Sequence, residues 1–221
     1  MIEEMADGLW RWTARHPDWH PGVFGAEVAC FALRDDDGLV LVDPLLPADD
    51  PDAVLDVLDR DPGTVTVVVT IPYHVRSAAE LAGRYDGEVL GHRAVQRRLP
   101  SSVRFSAVAP GEPLRGGMTV HAIGRPRRYE QPLHVPAHRA LCFGDAIVES
   151  DGALRVWAQK AVDDDVTRFY HERFAPTVAP LLELDVERVL PTHGAPVLQG
   201  GRQALTAALG ARPWHHRGSG H

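Results

Sequence analysis

Residues 65–70, Val-Thr-Val-Val-Val-Thr, form an unbroken run dominated by β-branched side chains. Such side chains fit a pleated backbone, and a run without polar alternation reads as a strand covered on both faces. The segments before it fit the same sheet. Residues 27–33 and 38–43 are apolar stretches separated by Arg34-Asp35-Asp36-Asp37-Gly38, a hairpin signal. Asp43-Pro44 stops the second of these strands, and Val54, Leu55, Val57 and Leu58 then recur at helical spacing in residues 51–60, after an acidic and proline-containing first turn.

Beyond the central run, Ser77 to Arg84 reads as a helix closed by a capping box of Ser77 and Glu80. Residues 88–91 read as a strand, 92–99 as a helix and 118–123 as a strand. Two short strands, 133–135 and 140–143, flank a turn at 136–139. The stretch 166–184 is helical in pattern, split or kinked by Pro176 and Pro180. A strand at 186–190 and a helix at 201–209 follow. Early hairpins followed by alternating strands and helices predict two sheets packed face to face with helices outside. We read residues 1–210 as one domain and 211–221 as a flexible, His-rich tail.

Composition narrows the function. Hydrophobic content of 44% and charged content of 24% are those of an ordinary globular chain. A formal net charge of −7 argues against a nucleic-acid partner, because a duplex binder needs a basic face to release phosphate counterions. No apolar run reaches the roughly 18 residues of a membrane span. The N-terminus is acidic where a secretory signal would be basic, so the expected location is cytoplasmic. Cys30 and Cys142 each lie in an apolar segment, as buried reduced thiols do. No nucleophile elbow, P-loop or dinucleotide fingerprint is present.

Three side chains follow predicted strands and bear chemistry: His74, Asp145 in Phe143-Gly144-Asp145-Ala146, and His193 in Pro191-Thr192-His193-Gly194. Two histidines and a carboxylate make a plausible catalytic metal set, with room left for water. Each also has a plain structural role open to it: His74 and His193 as residues just outside a strand, Asp145 as the cap of the next turn. Gly194 permits the tight turn that would aim the His193 imidazole inward.

From roughly Glu27 to Gly200, the order of these motifs resembles the metallo-β-lactamase-fold hydrolases: a hairpin ending in Leu-Val-Asp, a turn after Thr70, then Gly-Asp and a terminal His-Gly. The resemblance implies an α+β fold, an αββα four-layer sandwich, with Asp145 as bridging carboxylate and His193 as last histidine ligand. The chain departs from the family where its first ligands should stand. The family's T-H-x-H-x-D-H reads here Thr70-Ile71-Pro72-Tyr73-His74-Val75-Arg76, and a one-residue slip puts only His74 in a ligand position. The family's intermediate histidine should fall in residues 124–130, which contain none. His134 and His138 lie beyond that segment and read as strand and turn residues.

Two functions follow from the resemblance together with its departures. One is a divergent hydrolase of a small ester, thioester or amide, with a single zinc, iron or manganese ion on His74, Asp145 and His193, the last two also catalytic. The other is a metal-free pseudoenzyme binding an anionic small molecule or a protein partner. A guanidinium cannot become a metal ligand but can hold a carboxylate or phosphate, so Arg76 aimed at the cleft favours the second reading and Arg76 turned away allows the first. Arg125, Arg127 and Arg128 are further candidates for the cleft mouth. Tyr73 and the aromatic loop residues His16, Trp19 and His20 are the remaining candidate substrate contacts, while Trp10 and Trp12 read as packing residues.

Overall fold

The computed structural model of the chain describes residues 2–20 and 24–216. Among these, seven strands form one sheet in sequence order: β1 (Ile2–Ala6), β2 (Leu9–Arg15), β3 (Glu27–Asp35), β4 (Gly38–Val42), β5 (Thr64–Val69), β6 (Glu88–Gly91) and β7 (Phe105–Ala107). Strands β1 to β4 pair antiparallel, and β4 to β7 pair parallel. Five helices are α1 (Asp52–Leu58), α2 (Ala78–Arg84), α3 (Asp164–Phe169), α4 (Ala175–Val178) and α5 (Gly201–Gly210). The remaining strands are β8 (Thr119–Val120), β9 (Leu133–Val135), β10 (Ala140–Phe143), β11 (Ile147–Ser150), β12 (Ala153–Val156) and β13 (Arg188–Pro191). Four of them make a second sheet in the order β13-β10-β9-β8, and β11 with β12 forms a separate hairpin that the sequence reading did not contain.

Period-two alternation sorts the strands between cores. On β3, Ala29, Phe31 and Leu33 face the second sheet, meeting Met118, Leu133, Val135, Cys142 and Leu190. The intervening Val28, Cys30 and Ala32 face the other way, onto Val54 and Leu58 of α1 and Ala78 and Leu81 of α2. Leu141, Phe143 and Val189 of the second sheet similarly turn outward onto Val166, Phe174, Val178 and Leu205. Three cores between four layers give the expected αββα sandwich. Each fully buried Leu or Phe in them contributes about 2 kcal/mol relative to exposure.

The central run is buried from Val65 to Thr70, as its composition requires. The helical stretch near Pro176 and Pro180 is split as expected: α3 passes through a π turn at Tyr170–Phe174 into α4, then into a 3-10 turn at Ala179–Glu183. No helix among the described residues is long and apolar enough to cross a membrane.

Four local expectations fail for identifiable reasons. Residues 92–99 hold only a 3-10 turn at Gln96–Arg98, because Arg93 and Arg97 at i and i+4 repel on a helix and Pro100 follows. The strand expected over 118–123 shrinks to Thr119–Val120, since Pro132 beside its partner β9 has no N–H for the ladder. Ser77 precedes α2 without a side-chain cap, because its hydroxyl accepts from Leu46 N at 3.0 Å instead. The tail is docked up to His216: Trp214 N donates to Val156 O at 2.9 Å, and Ala158 N donates to Trp214 O at 2.8 Å. Residues 217–221 of the expected tail lie outside the described residues.

Candidate functional site

Parallel pairing of β4 with β5 and of β10 with β13 brings the C-terminal ends of each pair to the same edge of its sheet. The two edges meet. Gln131 N donates to Thr70 O at 2.7 Å, Ala29 N to Thr192 O at 2.6 Å and Thr192 N to Phe143 O at 3.1 Å. The residues just after these strands, Asp43, Thr70–His74, Asp145 and His193, therefore converge, and all three sequence candidates for a metal set come together there.

Asp43 organises one side. It follows β4 with a left-handed φ of 46°, a conformation that Asp tolerates better than most residues. Its Oδ1 accepts from Thr70 N at 2.7 Å, and its Oδ2 lies 2.9 Å from His74 Nδ1. That contact turns His74 Nε2 toward Asp145 Oδ1, 3.4 Å away. His193 Nε2 approaches the same oxygen at 3.6 Å. Gly194 adopts φ +90, and a Cβ there would come within 2.4 Å of Glu149 O, so this turn requires glycine.

Glu130 organises the other side. Fully buried, its carboxylate accepts from the backbone N–H groups of Gly144 (3.0 Å), Asp145 (3.2 Å) and Ala146 (3.1 Å). A Cβ at Gly144 would stand 2.8 Å from Thr70 Oγ1, so the glycine lets the two edges close. Burial pushes the Glu130 carboxyl up to about 7, against the opposing pull of Arg127.

Where the family's intermediate histidine was expected, the chain places Arg127. The residue is buried, and its guanidinium meets Asp145 Oδ2 at 3.3 Å. It also reaches the Tyr73 hydroxyl at 3.4 Å and stacks 5.1 Å from the Trp157 ring centroid. Burial alone would raise the Asp145 carboxyl, but His74, His193 and Arg127 hold it well below the usual carboxylate range. For His74, burial and the Arg76 charge favour the neutral ring, and Asp43 and Asp145 outweigh them, so its pKa is raised. Tyr73 is raised by burial and by the Asp145 charge, which keeps its phenol protonated.

The other candidates are spread around this centre. Arg76 donates to the Asp43 carbonyl at 3.0 Å, and its charge is the largest cause after burial of a lowered His16 pKa. His16 also feels His74 and His193, which places it beside the site. Trp19 lies under the Arg15 guanidinium at 5.2 Å, and His20 is exposed. Arg128 covers the Tyr129 ring at 4.6 Å. Trp12 donates to Leu45 O at 2.8 Å and is a packing residue as expected. His134 on β9 pairs with Leu141 on β10, and His138 bonds Arg34 O at 2.7 Å, so both serve the frame.

Asp43, Glu130, Arg127's pairing and Trp157 were not singled out as site residues from the sequence. Only Asp43 carried a signal, the Leu-Val-Asp strand end. Trp157 and Phe24 flank the His193 ring, with centroids at 5.5 and 5.2 Å, and Trp214 packs on Phe24 at 4.7 Å.

The residues present do not fit a two-metal centre, because a guanidinium stands against the second oxygen of the carboxylate that would bridge the ions. Among the described residues no group of three or more His, Cys, Asp or Glu is arranged to hold a metal ion. For a single ion the three donors are adjacent, but Arg127 and the raised His74 already neutralise Asp145 without one.

Known structures share this architecture across nearly the whole chain. The DIM-1 metallo-β-lactamase exposed to ceftazidime superposes with a TM-score of 0.66 at 13% identity, covering 95% of each chain. The fold is that of the metallo-β-lactamases. A metallo-β-lactamase from Erythrobacter litoralis, with β-mercaptoethanol in its active site, gives 0.64 at 18% identity over 94% of this chain and 93% of that one. FIM-1 from Pseudomonas aeruginosa in its mono-zinc form gives 0.64 at 15% identity, over 95% and 92%. No protein-family model matches the chain, and no curated protein does. Identities this low carry the scaffold and leave the chemistry to the residues themselves.

Proposed function

We propose that this chain uses the metallo-β-lactamase scaffold as a metal-free binder of an anionic small molecule. The observation that carries the reading is the buried Arg127–Asp145 pair. A cation would have to compete with a fixed guanidinium for the Asp145 carboxylate, and the two positive groups repel in a setting of low dielectric. The same substitution makes this edge of the fold attractive to anions. Arg127 opens onto a cleft of about 1030 Å³ that it shares with Arg93, Arg97 and Arg98.

A second reading is a hydrolase of a small ester, thioester or amide with one zinc, iron or manganese ion on His74, Asp145 and His193. It is favoured by one observation: Asp145 Oδ1 is buried without a hydrogen-bond partner and faces both Nε2 atoms. An ion held there would supply Lewis acidity and a water acidic enough to be hydroxide near neutral pH.

Elemental analysis after zinc exposure and desalting separates the two. Untagged wild-type protein and the His193→Ala variant are compared, so that metal on the tail histidines is counted in both. The metal-free reading expects equal zinc in the two proteins. About one equivalent present in the wild type and lost from His193→Ala would replace it with the hydrolase.

A further inference from the structure

The cleft beside Arg127 has a composition that the scaffold does not require. Its lining includes Arg93, Arg97 and Arg98 on one wall, with Tyr73, His92 and Tyr129 beside them, and no Asp or Glu. Arg93, Arg97 and Arg98 are exposed, and none of their guanidinium groups forms an ion pair or hydrogen bond among the described residues, whereas Arg84, Arg104, Arg115 and Arg139 each pair with a carboxylate. On a chain of net charge −7, three uncompensated guanidinium groups sharing one cleft form a local exception.

The wall that carries them is fixed. Val95 is fully buried in the outer core. Around it, Val95 N donates to His92 O at 2.8 Å, Arg98 N to Val95 O at 2.9 Å and Ala94 N to His92 Nδ1 at 3.1 Å. The failed helix at 92–99 is thus a tight turn that anchors one apolar side chain and presents arginines around it. Holding like charges together without counterions costs free energy, and a bound anion removes that cost.

Two features of the lining narrow the ligand. Guanidinium groups bind phosphate oxygens bidentately, and three of them suit more than one phosphate. The Tyr73 and Tyr129 rings, 45% and 44% exposed, are the most exposed aromatic side chains beside them. Arg128 covers one part of the Tyr129 ring at 4.6 Å, and the aromatic surface that stays exposed next to the cationic wall suits a flat ring attached to the anion. The cleft volume of about 1030 Å³ lies at the upper end of the roughly 300–1,000 Å³ of small-molecule sites.

We propose that this cleft binds a nucleoside di- or triphosphate, its phosphates on Arg93, Arg97 and Arg98 and its base against Tyr73 and Tyr129. The proposal rests on the anionic-ligand reading above and names its chemical class.

Calorimetric titration of the whole chain in EDTA, with ATP, ADP, AMP, adenosine and tripolyphosphate, tests it. ADP and ATP are expected to bind, AMP about tenfold more weakly and adenosine not measurably, with affinity falling as salt rises. The triple variant Arg93→Ala/Arg97→Ala/Arg98→Ala should lose binding while keeping the wild-type melting temperature, since the three side chains make no contacts that the fold uses. The corresponding triple Lys variant should retain weak binding, because charge survives and the bidentate geometry does not. Tyr129→Ala should weaken ADP and leave tripolyphosphate unchanged. Absence of binding by every phosphate compound, or ADP affinity unchanged in the triple Ala variant, would overturn the proposal. Tighter binding of a short single-stranded RNA than of ADP, lost in the same variant, would overturn it in favour of a nucleic acid. The zinc measurement is independent of all these variants, so a failed cleft and a failed metal-free reading give different results.

Discussion

Arg127 meets Asp145 at 3.3 Å with both side chains buried, the guanidinium on Oδ2 while two imidazoles face Oδ1. The carboxylate is thereby shared between a permanent cation and two titratable rings. A buried charge pair of this kind contributes little net stability, because desolvation offsets the attraction, but it penalises the loss of either partner.

Arg127→Ala should therefore destabilise the chain by about 3 kcal/mol, measured as a lower urea midpoint, because Asp145 is left buried with only the histidines for compensation. Arg127→His restores a donor that a metal can share. It is expected to raise zinc uptake above wild type in the same elemental analysis, and unchanged uptake would mean that Arg127 is not what keeps metal out.

The buried network also predicts a pH dependence of stability. Glu130 rises from 4.5 to about 7 on folding, so the native state binds the extra proton and stability falls as pH rises from 4.5 to 7, by on the order of 3 kcal/mol at the upper limit. His74, raised above 6.5, acts in the same direction: its contribution is full below 6.5 and is lost as pH climbs through its folded value. Asp145, held below 3.8, acts oppositely and only in acid, where protonation costs stability. His16, His92, His121 and His134, which burial lowers from 6.5, oppose this trend as pH rises toward 6.5, so the Glu130 contribution is read as a difference: the urea midpoint of wild type relative to Glu130→Gln should decline between pH 4.5 and 7. A difference between the two proteins that does not change with pH would show that Glu130 is not protonated in this way.

Much of the frame was legible because local pattern and burial agree there. The run 65–70 and the 27–43 hairpin are specified by their own side chains, and Pro176 and Pro180 split the helix that contains them. The convergence of His74, Asp145 and His193 was legible from strand ends and motif order. The partners of those residues were not. Glu130 and Arg127 lie in a loop without periodicity, and their roles come from the close approach of the two sheet edges, which no local pattern encodes. The direction of Arg76, left open by the sequence, depends on a backbone at φ 31° and a bond from its guanidinium to Asp43 O. The cationic wall came from residues 93–98, where a helical pattern masked a turn held by Val95.

The docked tail gives a further prediction. Truncation after Gly210 removes Trp214, which makes two backbone hydrogen bonds to the β12 end and packs on Phe24 beside His193. Two hydrogen bonds at about 1 kcal/mol each, together with the half-buried ring, make a loss of about 3 kcal/mol the expected effect on the denaturation midpoint. His193 should also exchange its ring proton faster in the truncated protein. Trp214→Ala in the full chain should reproduce most of both effects, and a truncated protein that matches wild type in both measurements would show that the tail adds nothing to the site.

Asp43 is the residue on which the geometry of His74 depends, and its two oxygens can be tested separately from its charge. Asp43→Ala removes the acceptors of Thr70 N and His74 Nδ1 and places a β-carbon residue at φ 46°, where Asp and Asn are tolerated better than Ala. Leaving a buried N–H without a partner costs about 1–3 kcal/mol, and the backbone adds to it, so a loss of about 4 kcal/mol is expected. Asp43→Asn keeps the backbone preference and one carbonyl oxygen, so its stability loss should be about half as large. The amide cannot offset the burial of His74 as the carboxylate does, so the His74 pKa should fall in Asp43→Asn, read from its imidazole resonances across a pH titration. An unchanged His74 titration would mean that Asp145, rather than Asp43, holds the proton on that ring.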